Sequence, residues 1–501
     1  MSTDTYQGLD AGRYIETLIG HEPKRLLIAG EWRDAASGQT FDSVNPSTGE
    51  VIARLAAGDA ADVDAAVRAA RAAFEGPWRT FTPADRQRVL NRFADLVEAH
   101  LDELYLLDVL DMGAPIAKSV GAAFGVKVLR YFAGAATRIQ GETVQNSAPG
   151  SFFTYTLKQP VGVVGSIIPW NGPMVSSIAK IAPVLATGCT MVLKPAEEAA
   201  LSPLRLGELL GELDLPPGVI NIVTGHGETA GAALTSHPDV DKLAFTGSTV
   251  TGQAIVRSAT DTLKRVTLEL GGKSPDIVFA DADLEAAIPG AAMGVFRNTG
   301  QVCCAGTRVY VQRPVYEEFV GRLSEYADSL RVGNSLDPAT DIGPLVSQAQ
   351  LDRVVDYLSV GPVEGARTAT GGSRVLDGDL ASGYFVQPTV FSDVRDDMRI
   401  AREEIFGPVA SVMPFDDVDE VIRRANASRY GLGGGVWTQN VGKAHRLAEA
   451  LRTGVVWVNN YGNFDPAMPF GGWNMSGWGT EYSEHGLAEY LNLKAVWIQT
   501  S

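Results

Sequence analysis

The sequence predicts an α/β fold built around two successive parallel sheets. Between residues 161 and 270, short apolar runs alternate with amphipathic helical patterns, and a second alternation runs from 283 to 459. Strand–helix repetition at this spacing implies right-handed βαβ units and a parallel sheet covered on both faces. The chain is 501 residues long, room for roughly three domain-sized units. Its 45% hydrophobic and 20% charged residues are an ordinary globular balance and exclude a disordered acidic chain.

The elements follow in order. The Ala-rich run at 52–74 reads as an amphipathic helix after an Asp-rich start. Val161–Ile168 (VGVVGSII) reads as a buried strand, 174–187 as helix, Thr190–Leu193 as strand and 202–213 as helix. Val219–Val223 is strand, Glu228–Leu234 a short helix, Leu243–Thr246 strand, 249–260 helix and Val266–Leu270 strand. In the second unit, 283–299, 315–331, 347–359, 416–426 and 441–452 read as helices. Arg308–Gln312, Val409–Pro414, Gly434–Thr438 and Val455–Asn459 read as strands. Two apolar strands, Ser151–Leu157 and Ala495–Gln499, stand outside both units. Such strands need a partner edge, and pairing across a subunit interface is one answer.

Charge and cysteine usage narrow the function. Lys+Arg number 42 against 59 Asp+Glu, a formal net charge of -17, which argues against nucleic-acid and anionic-membrane partners. Three cysteines, Cys189, Cys303 and Cys304, cannot form a disulfide framework and suit a reducing compartment. The first 20 residues carry acids and lack an apolar signal core. The most apolar stretch, Val161–Trp170, is about half a membrane span. A soluble, cytoplasmic protein is expected. The six histidines show no ligand spacing, so no metal is implied.

Several turns carry candidate chemistry. Gly225-His226-Gly227 and Phe245-Thr246-Gly247-Ser248 each link a strand to a helix N-terminus, where free N–H groups and the dipole suit a phosphate. Each could equally be a tight turn with a hydroxyl cap. Lys194 and Glu197, in Lys194-Pro195-Ala196-Glu197, sit at the carboxyl end of a strand, where a ribose could be held. A surface charge pair is the alternative. Cys303 lies in Gly300-Gln301-Val302-Cys303-Cys304-Ala305-Gly306, between glycines that permit close approach of a ligand. Free cysteines are more often small core residues. Glu269 ends an apolar strand ahead of Gly271-Gly272 and reads as a candidate general base. Asn171, in Pro169-Trp170-Asn171-Gly172-Pro173, is either a turn residue or an amide donor to an oxyanion. A thiol, a carboxylate and an amide near strand ends form a covalent-catalysis set.

These motifs, with Glu404-Ile405-Phe406-Gly407-Pro408 and Pro469-Phe470-Gly471-Gly472, resemble the aldehyde dehydrogenase superfamily from about Leu26 to Ile498. Glu269 precedes Cys303 by 34 residues, which suits the family's hydrolytic branch. The resemblance implies a doubly wound Rossmann-like cofactor domain (1–137 and 160–270), a second α/β catalytic domain (271–470) and a small β oligomerisation arm (138–159 and 480–501). In the family that arm pairs subunits, so a homodimer or homotetramer is expected. The resemblance implies Cys303 as nucleophile, Glu269 as the base that activates water, Asn171 as oxyanion donor and Lys180 as an aid to proton movement. Lys194 and Glu197 would grip the adenosine ribose beside Gly227. Gly247 and Ser248 would meet the pyrophosphate, with Trp170 alongside, and Glu404 and Phe406 would clamp the nicotinamide ribose. A carboxylate at Glu197 accepts from a ribose 2′-hydroxyl and repels a 2′-phosphate, so the expected cofactor is NAD rather than NADP.

The departures from the family pattern bear on substrate. Gly172 and Ala179 stand where many relatives carry bulky side chains, and an aromatic side chain covers ~150–250 Å². A wide substrate tunnel is expected, walled by Trp170, Val175, Phe464, Phe470 and Phe296. It favours an aromatic, terpenoid or long-chain aldehyde. Asn474, Thr480 and Asn492 replace charged residues common in relatives near the subunit interface. A CoA-acylating relative would form the same thioester without a water-activating carboxylate, so Glu269 argues against it. A catalytically silent relative would be free to lose the thiol that is retained here.

Overall fold

In the computed structural model, residues 19–117 and 121–500 are described. The first 18 residues of the 1–137 segment lie outside them. The strands Thr190–Lys194 and Ile220–Ile222, buried throughout, and Val163–Ile167, buried up to Ile167, are rich in β-branched and apolar residues. They form the middle of an eight-stranded sheet with Lys242–Thr246 and Arg265–Glu269. These five strands run parallel, with Val164 opposite both Met191 and Lys242. From Val163–Ile167 the chain first builds outward through Thr190–Lys194 to Ile220–Ile222. It then crosses back, so that Lys242–Thr246 lies on the other side of Val163–Ile167. The order therefore reverses between those two strands, and a doubly wound sheet opens its ligand crevice at the carboxyl ends there.

Both edges of the sheet are antiparallel. The hairpin Leu26–Ile28 and Glu31–Arg33 closes one, turning through Ala29 and Gly30 at positive φ. At the other, Gly477–Trp478 returns from the far end of the chain to pair with Leu268 and Glu269. The second sheet has seven strands, in the order Arg367–Thr370, Thr389–Ser392, Val409–Phe415, Arg308–Gln312, Pro275–Val278, Gly433–Trp437, Val455–Val458. All but the first pair in parallel. The strand Pro275–Val278 escapes sequence patterning because PDIV opens with a proline and carries an acid. Asp276 is buried all the same, accepting from Trp437 Nε1 at 2.8 Å.

Two expectations change. The 52–74 run is not one helix. Glu50–Ala56 is a strand paired with Thr40–Asn45, and the helix is Ala60–Glu75. Gly58 abuts the Thr224 carbonyl, and Asp59 caps the helix through a reciprocal box with Asp62. Alanine content hides that stop. The two orphan strands, observed as Phe152–Pro160 and Leu491–Gln499, pair antiparallel with each other within the chain, from Phe152–Gln499 to Pro160–Leu491. This two-stranded ribbon leaves Phe153, Leu493, Trp497 and Ile498 exposed.

The helix after Asn171, Pro173–Thr187, is pinned from behind by buried carboxylates on Leu101–Met112. Asp108 accepts from Ser202 Oγ and from the Met174 backbone N–H. Asp111 accepts from the Leu201 N–H at 2.9 Å. Burial pushes Asp108 up to about 7, and burial plus the Asp108 charge pushes Asp111 well above the carboxylate range. A raised folded-state pKa means the folded chain holds protons that the unfolded chain has lost. The associated stability is full below the unfolded value and disappears as pH rises through the folded one. Asp108→Asn keeps the accepting oxygen and removes this titration. Its thermal midpoint, relative to wild type, should rise as pH increases from about 4 to 8; scanning calorimetry across that range checks it, and a difference independent of pH refutes it.

Candidate active site

The reversal point of the first sheet opens into a cavity of about 230 Å³. Pro169-Trp170-Asn171 and Thr246-Gly247-Ser248 flank it from the two strands that part there, and Glu269, Cys303, Glu404 and Phe406 complete its wall. Cys303 comes from the second unit, at the amino side of the strand Arg308–Gln312. It is delivered by a strained turn in which Asn298, Thr299 and Gly300 all have positive φ, from 53° to 70°. Such conformations survive where the surroundings over-determine them. Here Gln301 does so, accepting from the Val346 N–H at 3.0 Å and donating to Pro344 O, while Thr299 Oγ1 donates to Gly343 O at 3.2 Å. A side chain at Gly300 would strike the Gly407 carbonyl, and one at Gly272 would strike the Cys303 carbonyl. The Gly271-Gly272 turn and the thiol loop therefore touch backbone to backbone.

The Cys303 thiol sits well above its ordinary range. It shares a hydrogen bond with the Cys304 sulfur, is desolvated, and faces the charges of Glu269 and Glu404. The shared bond holds Cys304 lower. Cys304 thus lies directly against the Cys303 thiol. Asn171 Nδ2 donates to Gln301 O at 2.9 Å, while its own carbonyl accepts from Asn298 Nδ2 at 3.0 Å. The amide is locked beside the thiol loop with a second N–H left over.

Glu269 is buried at the end of its strand, and one carboxylate oxygen has no partner. Its other oxygen lies 3.5 Å from where a side chain on Gly471 would stand. Burial raises its pKa well above the usual range. The Glu481 carboxylate raises it further, and Lys180 opposes the rise. Lys180 pairs with Glu481, which also accepts from Thr246 Oγ1 at 3.3 Å. Glu481 has no sequence signal. It is one acid in a polar C-terminal stretch, and only a contact across 301 positions brings it to Lys180.

Lys194, Glu197 and Gly227 come together on the neighbouring strands. Lys194 Nζ meets Glu197 Oε2 at 2.9 Å, and Glu197 Oε1 accepts from the Gly227 N–H at 3.3 Å. Lys194 and helix geometry thus present an ammonium, a carboxylate and backbone donors in a row. Ser248 caps the helix Thr249–Ala259, accepting from the Thr251 N–H at 3.1 Å. Beside it lies a larger cleft of about 590 Å³, into which Arg353, Arg402 and Arg429 face. Those arginines, unread in the sequence, set a local positive field in an acidic chain. Glu404 accepts from the Gly272 N–H at 2.9 Å and is pushed by burial to about 7. Phe406, at φ 62°, meets Trp170 edge-on at 5.2 Å between ring centres. A dinucleotide's two riboses, phosphates and flat rings fit this set of acceptors, donors and aromatic faces. Among the described residues no cluster of three His, Cys, Asp or Glu could hold a metal, and no helix is long and apolar enough to cross a membrane.

The substrate-side expectation is corrected in part. Phe470 packs with Cys303, Cys304 and Tyr482. Phe464 meets Phe470 at 5.5 Å and Phe124 at 6.3 Å, and Phe124 meets Tyr482 at 5.5 Å. Gly172 has open space where a side chain would stand. Phe296 does not join them. It lies on the inner face of the helix Leu284–Phe296, buried against the second sheet, because the helical stripe that faces that sheet includes it. Trp170 belongs to the cavity with Phe406 and Glu404, not to the Phe464–Phe470 wall. Val175 packs on the core of the first unit. Phe124 and Tyr482, unsingled in the sequence, take up the wall.

Comparison with known proteins agrees with this geometry. The family profile described as the aldehyde dehydrogenase family matches residues 32–496. The chain belongs to the aldehyde dehydrogenase family. It is 49% identical to an aldehyde dehydrogenase of Enchytraeus buchholzi over 481 residues, 95% of this chain and 96% of that one. It is 48% identical to the mitochondrial aldehyde dehydrogenase of Homo sapiens over 95% of this chain and 92% of that one. An aldehyde dehydrogenase from Bacillus cereus, solved in complex with NAD+, superposes with a TM-score of 0.95 at 47% identity, covering 98% and 99% of the two chains. Family membership makes the protein an oxidoreductase acting on aldehydes.

The strained thiol loop yields a prediction. Gly300→Ala combines an L side chain at φ 70° with a backbone collision. A left-handed residue alone costs roughly 1–2 kcal/mol. The variant should show a lower thermal midpoint, and because the strain displaces the thiol it should lower aldehyde oxidation by about tenfold or more; wild-type stability and rate together would contradict it.

Proposed function

We propose that the protein oxidises a bulky aldehyde to its carboxylic acid with NAD and water, through a thioester on Cys303. The observation that carries this is the convergence of the Cys303 thiol, the locked Asn171 amide and the buried Glu269 carboxylate, one oxygen of which has no partner, on one cavity. The raised thiol must lose its proton before it attacks, and Glu269, which with Glu404 is one of the two carboxylates whose charge reaches it, is the base that takes it. The Cys303 sulfur then bonds to the carbonyl carbon, and the free Asn171 N–H and the Cys303 backbone N–H stabilise the oxyanion. Bound NAD supplies the hydride acceptor. Cys303 retains the acyl group, and Glu269 takes a proton from the water that hydrolyses it. The Glu481 carboxylate, paired with the Lys180 ammonium, sets the charge of the buried network in which Glu269 gains and gives up that proton. Tyr482 packs beside Cys303 and Phe470 and adds an apolar face next to the thiol.

Lys194, Glu197 and Gly227 would hold the adenosine ribose, Gly247 and Ser248 the pyrophosphate, and Glu404 and Phe406 the second ribose, with Trp170 against the ring face. The complex of the Bacillus cereus relative with NAD+ supports this assignment, as does the Glu197 carboxylate, which disfavours a 2′-phosphate. Open space at Gly172 supports a wide tunnel, with Val175 beneath its floor and Phe464 and Phe470 as walls. The exposed apolar ribbon Phe152–Pro160 and Leu491–Gln499 supports a homodimer or homotetramer.

The direct test follows reduced-nicotinamide absorbance with NAD and either benzaldehyde or acetaldehyde, with and without CoA. Expected are a rate independent of CoA, a free acid product, a higher kcat/KM for benzaldehyde, and a loss of at least about 10³-fold in Cys303→Ala. An acyl-CoA product would favour the acylating alternative, and undiminished Cys303→Ala turnover would falsify the nucleophile assignment.

A second test uses pH. The base acts only when ionised, so deacylation falls as pH drops through the raised Glu269 value. Glu481→Gln removes a repelling charge and frees the opposing Lys180, and both effects lower that value. The acid limb of the kcat profile should therefore move to lower pH. A limb that stays put or moves up shows that another group controls it.

A further inference from the structure

The aromatic wall beside Cys303 ends on a cation that no reading of the reaction uses. Arg297 follows the helix Leu284–Phe296 and opens the turn that delivers Cys303. Its guanidinium lies over the Phe464 ring, 6.0 Å from the centre, and Nη1 donates to Gly462 O at 3.3 Å. It is half-buried, and its charge reaches Cys304 and Tyr461, both packed with the thiol. Among the described residues Arg297 forms no ion pair. Arg308, Arg353 and Arg429 of the same unit likewise bond only carbonyl or hydroxyl oxygens, whereas Arg322, Arg367, Arg399 and Arg424 each pair with carboxylates. What distinguishes Arg297 is its place beside the aromatic wall.

We propose that Arg297 recognises a carboxylate at the far end of the aldehyde, so that the preferred substrate is an aldehyde acid with an aromatic or extended apolar body. This rests on the aldehyde-oxidising reading of Cys303. Phe470 and Tyr482 pack beside the thiol, Phe464 and Phe124 meet those two rings, and Arg297 in turn meets Phe464. A body held between these rings reaches Arg297 with its other end. The contact with Phe464 and the single bond from Nη1 to Gly462 O hold the guanidinium in place while leaving most of its N–H fork unbonded. That fork matches a carboxylate with two parallel charge-assisted bonds. The apolar wall strengthens the attraction by lowering the local dielectric. One guanidinium balances one negative charge, which suits a carboxylate better than a doubly charged phosphate. The net charge of -17 repels an anionic substrate at long range, so its recognition needs a local cation of this kind.

The test compares substrates that differ only in that charge: para-carboxybenzaldehyde against its methyl ester, and a long-chain ω-oxo fatty acid against its methyl ester. Each is oxidised with NAD by wild type, Arg297→Leu and Arg297→Lys. In wild type the acid should exceed its ester in kcat/KM by at least about tenfold in one pair or the other. Arg297→Leu should reduce that ratio by about tenfold or more, mainly through KM, and Arg297→Lys should retain part of it. The ratio is insensitive to how much of a variant folds. Esters preferred in both pairs, or a ratio unchanged in Arg297→Leu, would overturn the inference while leaving the dehydrogenase reading intact. No NAD reduction with any of the four aldehydes would overturn both together.

Discussion

A carboxylate buried without a full set of partners organises this protein. Glu269 closes a parallel strand at the point where strand order reverses, and one of its oxygens accepts no hydrogen bond. Leaving such a group unsatisfied costs about 1–3 kcal/mol, so the fold must sustain it elsewhere. Three distant segments do so. The strand Gly477–Trp478 pairs along Leu268 and Glu269, fixing the backbone. Glu481 follows four residues after Gly477 and brings its charge alongside, while Lys180 reaches in from the helix after Asn171. Gly471 leaves room beside the carboxylate. A group costly to ionise is thereby held at the cavity, the property that the proposed mechanism asks of its base.

The thiol is placed by the same economy of close backbone contact. Gly272 approaches the Cys303 carbonyl so nearly that a methyl group would not fit, and Gly300 approaches Gly407 in the same way. These contacts join the first sheet's crevice to the second unit's loop. Lys194, Arg353, Arg402 and Arg429 place local positive charge on an acidic chain, which suits the anionic dinucleotide of the proposed function. Each device acts within a few ångströms, where Coulomb attraction outweighs a screened net charge.

Sequence patterning read the parallel strands well because a strand buried on both faces is a continuous apolar run, as Thr190–Lys194 shows. It failed where composition and conformation disagree. Alanines concealed the Gly58–Asp59 stop that divides a strand from a helix, and Pro275 and Asp276 disguised a central strand. Phe296 read as a tunnel residue because it neighbours the thiol loop in sequence, yet helical periodicity turns it into the core.

Sequence alone determined the chemistry available: a thiol flanked by glycines, a strand-ending acid, an amide in a turn, and the order of strands and helices that brings their ends to one rim. Those features are local, and residue type with spacing expresses them. Tertiary structure decided how that chemistry is tuned. Glu481 beside Lys180, Cys304 sharing its bond with Cys303, and Arg297 set against Phe464 are contacts between segments whose local patterns carry no trace of one another. Desolvation and charge proximity depend on distance in space, which chain order does not encode.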